Sequence, residues 1–324
     1  MSESDGAEQP KYWVDVEGSG NHRAQLDLIP PGSRVLEIGA GPGHMSQALM
    51  AKGCTVTAVE RDEALAALAR QVCRSVIVTD VESPAFEELL AEERFDVVLL
   101  GDVLEHLKGP EEFLVRLQSR LTPHGCLVVC LPNVAHGAVR LSLLEGRFEY
   151  QAEGLLDRTH LKFFTLSSLL ETFGATGYAV SGLQRIRCGF FATELRLDPA
   201  HVPPDALRLL CRDPEATTYQ FVFRASPEGL AADAPAQVPI SAEEPLAACQ
   251  LTTAVLHDYE RWGRESLFGR PPDLRRARRL YYCAFRLAPS LWRLCRLLVM
   301  FLPYPVIDGL GRLYDVAHWR RASR

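Results

Sequence analysis

The sequence predicts a doubly wound α/β fold: a largely parallel sheet with an antiparallel edge, followed by a C-terminal helical appendage. Three observations predict it. Over residues 31–131, near-continuous apolar runs alternate with amphipathic stretches. Strands buried on both faces read as such runs, and strand–helix alternation builds parallel sheets. Two further strand-like runs lie close together near 178–223, suggesting an antiparallel edge. From Leu274 onward, apolar residues recur at helical spacing.

The elements follow in order. Residues 33–38 (SRVLEI) read as a strand and 44–50 as a helix. Residues 54–59 (CTVTAV) form a second strand, and 63–73 a helix rich in Ala and Leu. Residues 75–79 (SVIVT) form a third strand, with a helix near 84–90. Residues 95–100 (FDVVLL) form a fourth, followed by a helix over 110–121. Residues 126–131 (CLVVCL) form a fifth. The stretch 133–163, with Gly, Arg and His, reads as an irregular insertion. A short helix is expected over 165–173, a strand over 178–186 and another over 217–223 (TTYQFVF).

Residues 226–245 are rich in Ala, Pro and acid and read as a linker. The division expected is therefore 1–225 as the α/β domain, 226–245 as linker, and 246–324 as a basic amphipathic tail. In the tail, residues 274, 277, 281, 284, 288, 291, 295 and 298 form the apolar stripe. Arg275, Arg279, Arg286 and Arg293 fall on another face, and Pro289 is expected to split the helix. The run 297–307 (LLVMFLPYPVI) is too short, and too rich in proline, to span a bilayer.

Composition bounds the function. The chain has 324 residues, 47% hydrophobic and 23% charged, as in globular proteins. Its net charge of −6 argues against a general nucleic-acid binder. The total conceals an asymmetry: residues 271–324 carry 11 Arg and 3 Asp, or +8, leaving −14 for the rest. The polar N-terminus lacks an apolar signal core. Nine cysteines without a CxxC pair point to reduced thiols. A cytoplasmic protein is expected, with peripheral association at the inner face of the membrane as a further expectation.

The central motif is Val35-Leu36-Glu37-Ile38-Gly39-Ala40-Gly41-Pro42-Gly43, placed between a strand and a helix. Glycines let the backbone turn sharply and approach a ligand closely. Glu60 ends the second strand, where a carboxylate suits a ribose diol. A dinucleotide dehydrogenase shares this layout, but GAGPG lacks the GxGxxG spacing, and Glu37 would repel a pyrophosphate.

VLEIGAGPG, AVERD, TDVES, FDVVLLGDVLEHL and LTPHGCLVVCLPN together resemble the successive motifs of class I S-adenosylmethionine-dependent methyltransferases. The resemblance covers about 15–225 and implies a Rossmann-like seven-stranded sheet whose last strand is antiparallel. It implies that Gly39, Ala40, Gly41 and Gly43 line the methionine portion of the donor, with Glu37 nearby. Glu60 would hold the ribose, with Arg61 following it. Asp80 and Val81 would face the adenine, although Asp80 has a plainer reading as a helix cap. Asp102 would sit near the methionine end.

Acceptor residues are sought after the fourth and fifth strands, because ligands gather at strand carboxyl ends. There stand Asp102-x-x-Glu105-His106, then Asn133 and His136, then Asp157-Arg158-Thr159-His160-Leu161-Lys162-Phe163-Phe164. Two arrangements compete. In one, His160 or His106 acts as a general base, with Asp102 beside it. In the other, Asp102, Glu105, His106 and His160 converge on a divalent ion such as Mg²⁺, which would acidify a vicinal diol. This set resembles that of small-RNA 2′-O-methyltransferases, with Asp102 where those carry Glu, and the Glu-His pair recurs in quinone-pathway O-methyltransferases. VLEHL is also common in methyltransferases that use no metal.

The stretch 146–165 (GRFEYQAEGLLDRTHLKFFT) resembles bacterial methyltransferases associated with polysaccharide assembly. Phe148, Tyr150, Phe163 and Phe164 would then wall an acceptor pocket. The leading expectation is O-methylation of a saccharide or lipid-linked glycan. A quinone or polyketide acceptor, or a non-catalytic donor-binding scaffold, stand as alternatives, and no nucleic-acid partner is expected. The tail reads either as helices packed on protein or as an in-plane anchor on an anionic membrane. In the second reading Trp292, Phe301, Tyr304 and Trp319 sit at the interface.

Overall fold

The computed structural model describes residues 18, 20–228, 248–268, 273–290, 293–294, 297–298 and 301. Seven strands form one sheet: β1 (Arg34–Ile38), β2 (Thr55–Glu60), β3 (Ser75–Val78), β4 (Phe95–Gly101), β5 (Leu121–Pro132), β6 (Tyr178–Arg187) and β7 (Thr218–Pro227). Their order is β3-β2-β1-β4-β5-β7-β6. The first five pair in parallel, while β7 runs antiparallel to both β5 and β6. The expected antiparallel edge is present.

The continuous apolar runs have a direct cause. Alternate residues of each central strand enter opposite cores. Val35, Val97, Leu99, Cys126 and Val128 face one core, shared with α1 (Asn21–Leu28) and α2 (His44–Ala51). Leu36, Val98, Leu100, Leu127 and Val129 face the other, where α5 (Pro110–Leu117) and α7 (Leu166–Ala175) contribute Phe113, Leu114, Leu169 and Phe173. Between them stand α3 (Glu63–Ala69), capped by the Asp62 side chain, and α4 (Ala85–Leu90). β5 starts five residues before the expected strand. Its early part pairs Leu121 with Phe95 across a register shift, so Pro123 and Gly125 lie inside it.

Cα packing divides the chain into two units. One comprises Met1–His136, Glu149–Cys188 and Thr218–Glu243, and contains the whole sheet. The other comprises Gly137–Phe148, Gly189–Thr217 and Glu244–Arg324. The second unit contains α6 (Gly137–Leu144), α8 (Pro204–Leu210), α9 (Ala248–Phe268) and α10 (Leu274–Leu287). The stretch 133–163 is therefore not wholly irregular. Most of the expected linker lies outside the described residues.

Of the expected tail stripe, Ala277, Tyr281 and Ala284 are buried within this second unit, Leu298 is exposed, and residues 291 and 295 lie outside the described residues. Leu280, Cys283, Ala284 and Leu287 of α10 are buried with Leu207, Leu210 and Tyr259, and Ala277 and Tyr281 with Leu267. Tyr259 Oη donates to the Pro199 carbonyl at 2.8 Å. Arg276 pairs with Asp198, Arg286 with Asp205 and Arg293 with Glu260. This corrects the anchor reading for α10, because its apolar face is covered by protein and Arg286 and Arg293 are ion-paired. Phe301 is exposed; Trp292, Tyr304 and Trp319 lie outside the described residues. α10 ends at Leu287, before Pro289 as expected. Among the described residues, no helix is long and apolar enough to cross a membrane.

Candidate active site

The strand carboxyl ends of the sheet unit enclose a cavity of about 600 Å³, within the range of small-molecule sites. One wall is the turn between β1 and α2. Gly39, Gly41 and Gly43 all have positive φ, at 72°, 54° and 91°, where a side chain is strained. The amides of Gly39 and Ala40 both donate to the Val59 carbonyl, at 2.9 and 3.1 Å, tying the turn to β2. Gly39, Ala40 and Gly41 line the cavity; Gly43 does not. A Cβ on Gly43 would lie 2.7 Å from Val72 Cγ2 and 3.1 Å from Ala69 Cα. This corrects its expected role: Gly43 allows the turn to pack on the end of α3.

Two carboxylates brace this wall. Glu37 is buried and accepts from Ser46 Oγ at 2.5 Å. Burial pushes its carboxyl up to about 7, against the opposing effect of the Ser46 bond. Glu60 accepts from the Gly41 amide on one oxygen and the Asp62 amide on the other, both at 2.9 Å. Each oxygen keeps a second acceptor direction for a ligand hydroxyl. Arg61 and Val81 also line the cavity. Asp80 lines it too, and its Oδ1 accepts from the Glu82 amide at 2.9 Å. Asp80 is not a helix cap, because α4 begins at Ala85 with Pro84 before it.

Asp102 follows β4 with φ of 54°, an uncommon conformation for a residue other than glycine. Its Oδ1 accepts from Gln220 Nε2 at 2.7 Å and from the Cys130 thiol at 3.5 Å. Asn21 Nδ2 donates to Oδ2 at 3.5 Å. Burial pushes this carboxyl up to about 6, while the bonds from Cys130 and Gln220 pull it down.

Beyond Asp102, a short 3₁₀ turn (Leu104–His106) carries Glu105 and His106. The Leu161 and Lys162 amides both donate to the Glu105 carbonyl, at 2.7 and 3.0 Å. The insertion is thereby fastened to the turn, bringing His160 against His106 with ring centroids 4.9 Å apart. His106 Nδ1 meets Thr159 O and Oγ1, each at 3.2 Å. Glu105, His106 and His160 each offer one ligand atom within 4.8 Å of the others.

The cluster carries unmet polar capacity. Glu105 is fully buried, and neither carboxylate oxygen has a hydrogen-bond partner; His160 Nδ1 also has none. Buried polar groups are normally paired. Burial, then the nearby Asp102, holds the Glu105 carboxyl well above its usual range. Burial, then His106, lowers His160, while Asp157 and the Leu155 backbone oppose. Asp157 ends below the usual range: burial raises it, but its bonds from Thr159 and the two histidines outweigh that.

Of the expected residues, Glu37, Gly39, Ala40, Gly41, Glu60, Arg61, Asp80, Val81, Asp102, Glu105, His106 and His160 line the cavity, and Gly43 does not. Asp102 is not in the close group: the ligand atoms that lie within 4.8 Å of one another are those of Glu105, His106 and His160. Asn133 and His136 lie outside the lining. Asn133 donates to Thr218 O and accepts from the Ala135 amide, and His136 meets Cys188 O at 3.0 Å. None of Phe148, Tyr150, Phe163 and Phe164 lines the cavity; Phe164 is in the core, and Phe148 and Tyr150 are exposed. The aromatic wall expected for a sugar is therefore absent from this cavity.

Asn21, Gln25, Glu153, Tyr219 and Gln220 line the cavity without having been singled out. Asn21 and Gln25 are polar residues four apart on one helix face. Gln220 is a polar residue in an apolar strand sequence. Both were readable signals.

Comparison with known proteins decides the family. Residues 19–181, half of the chain, match the family described as a methyltransferase domain. The protein belongs to that methyltransferase family. By its motifs and sheet order it is a class I S-adenosylmethionine-dependent methyltransferase. The ubiquinone biosynthesis O-methyltransferase of Xanthomonas campestris pv. campestris (strain B100) is 30% identical to this methyltransferase over 161 residues. The match covers 49% of this chain and 66% of that protein, just under two thirds. The enzyme of the same name from Xanthomonas axonopodis pv. citri is 29% identical over 189 residues, covering 56% and 77%. A solved S-adenosylmethionine-dependent methyltransferase from Archaeoglobus fulgidus is 18% identical with a TM-score of 0.46. That match covers 63% of this methyltransferase and 90% of the other chain.

Proposed function

We propose that this protein transfers the methyl group of S-adenosylmethionine to a hydroxyl of a catechol-like acceptor. The carrying observation is the Glu105–His106–His160 cluster, with Glu105 and His160 buried and the Glu105 oxygens and His160 Nδ1 unpartnered, at the acceptor end of the cavity. Similarity to ubiquinone biosynthesis O-methyltransferases favours a small phenolic acceptor over a saccharide. The aromatics that suggested a glycan stand outside the cavity.

In this reading the donor lies along the glycine turn. Glu60 accepts from its ribose hydroxyls, and Asp80 and Val81 face its adenine. Glu37 and Asp102 face its cationic methionine end, where negative charge is complementary. The acceptor oxygen attacks the sulfonium methyl carbon in line. The new O–C bond forms as the C–S bond breaks, and S-adenosylhomocysteine leaves. Alignment is the first requirement, because the donor is already activated. The hydroxyl proton passes to His160 Nδ1, which burial keeps neutral and able to accept it. His106, oriented by Thr159, flanks the second hydroxyl.

A second reading rests on the two unpartnered Glu105 oxygens. A carboxylate and two imidazoles fit a divalent cation such as Mg²⁺, Mn²⁺ or Fe²⁺. Glu105, His106 and His160 would hold it. When bound, it would lower the pKa of a vicinal diol.

The test is methyl transfer to 4-ethylcatechol, followed by mass spectrometry, before and after exhaustive chelation, with metal content measured in parallel. Methylated product supports the function, and no product on any catechol contradicts it. Activity that survives metal removal assigns the proton to His160 alone. Activity lost with the metal and restored by it supports the cation.

A further inference from the structure

Eight carboxylates line the cavity against one guanidinium, that of Arg61. The imbalance persists at the acceptor end, where Asp102, Glu105, Glu153 and Asp157 contribute and no Lys or Arg does. The loop's own cations do not redress it. Arg158 Nε donates to the Gln151 carbonyl at 3.3 Å, and neither Arg158 nor Lys162 is part of the lining.

The bound donor carries one net positive charge, which Glu37 and Asp102 face. A divalent ion on the histidine cluster would still leave carboxylates in excess, because Arg61, the donor and the ion together bring four positive charges against eight acidic side chains. Glu105 sharpens the point: its carboxylate is fully buried, lines the cavity and has no partner on either oxygen. It is a group that needs a donor or a positive charge brought to it. An acceptor carrying its own carboxylate or phosphate would bring like charge beside the buried Glu105 and the half-buried Asp102 and Asp157, where repulsion is screened less than in bulk water.

We infer that the acceptor is neutral or cationic around its reacting hydroxyl, and that acceptors with a carboxylate or phosphate beside the reacting ring are rejected. This rests on the catechol reading above. It excludes carboxylated phenols and sugar nucleotides whose phosphates enter the cavity, and it favours phenols bearing an amine or no ionised group.

Three matched catechols test it on the full-length protein with S-adenosylmethionine at pH 7.5: dopamine (cationic), 4-ethylcatechol (neutral) and 3,4-dihydroxyphenylacetate (anionic). The expected kcat/KM for the first two is at least tenfold above that for the third. Glu153 is exposed at the cavity, so Glu153→Lys tests the electrostatic origin with little risk to folding. It is expected to narrow the neutral-to-anionic ratio at least threefold, a ratio measured within one variant and independent of its folded fraction. An anionic acceptor used as well as the neutral one overturns the inference. So does a ratio unmoved by Glu153→Lys. Turnover of none of the three overturns the catechol reading and this inference with it.

Discussion

The Leu161 amide donates to the Glu105 carbonyl at 2.7 Å, and this bond assembles the acceptor side of the cavity. It brings the insertion carrying His160 to the turn carrying Glu105 and His106, residues far apart in sequence. The side chain at 105 is free of structural duty, because only its backbone carbonyl holds the loop. Glu105→Gln should therefore preserve the fold. An ionisable carboxylate with no partner also costs stability when buried. The melting temperature should be unchanged or higher, and scanning calorimetry showing a fall of several degrees would contradict this.

Gln220 and Asp102 join β7 to the end of β4 at 2.7 Å. Hydrogen bonds to a charged group contribute about 1.5–3 kcal/mol. Gln220→Leu should weaken donor binding by about tenfold or more, while leaving the strand apolar and paired. Titration calorimetry with S-adenosylhomocysteine checks it, and an unchanged Kd would remove Asp102 from the donor site.

The three glycines of the turn should separate by role. Gly43→Ala meets Val72 and Ala69 at φ of 91°, so it should lower stability by about 1–3 kcal/mol. Its surviving folded protein should bind donor nearly normally. Gly39 lines the cavity, and a Cβ there meets Val103 Cγ2 at 3.1 Å. Gly39→Ala should weaken donor binding by about tenfold or more as well. Urea denaturation and calorimetry on the two variants distinguish these outcomes.

Glu37 makes the ligand-free protein sensitive to pH. Its carboxyl is raised from 4.5 to about 7 by burial. The native state therefore binds the proton more tightly than the unfolded chain. That stabilisation is complete below 4.5 and is lost as pH rises towards 7. The full effect is on the order of 3 kcal/mol. Denaturation series for wild type and Glu37→Gln should diverge across this window, with the variant flatter. Parallel curves would contradict the burial of the ionisable carboxyl.

The tail should behave as part of a protein core. Tyr259 is fully buried and donates to Pro199 O. Tyr259→Phe should cost about 1 kcal/mol and Tyr259→Ala about 3–5 kcal/mol. Thermal denaturation measures both, and two silent substitutions would mean that α9 is not docked on the 189–217 segment.

The sheet was legible because its signals are local. Each central strand is apolar at successive positions, and that pattern has one simple source, a strand covered on both faces. The glycine turn and Glu60 were legible for the same reason. Gly43 was misread because sequence cannot separate a glycine facing a ligand from one facing Ala69 and Val72. Asp102 stands apart from the Glu105–His106–His160 group, and its partner Gln220 lies 118 residues away in sequence, beyond the reach of any local pattern. The tail stripe and its arginines suit a bilayer or a protein core equally until the partners are known. Here Asp198, Asp205 and Glu260 supply them.

The most direct measurement compares methyl transfer to 4-ethylcatechol by wild type and His160→Gln, with S-adenosylhomocysteine affinity measured on the same samples. The prediction is product from wild type, a rate lower by about a hundredfold or more in the variant, and donor-side affinity within about threefold. A variant that methylates at the wild-type rate would contradict the assignment of this cluster to the reaction.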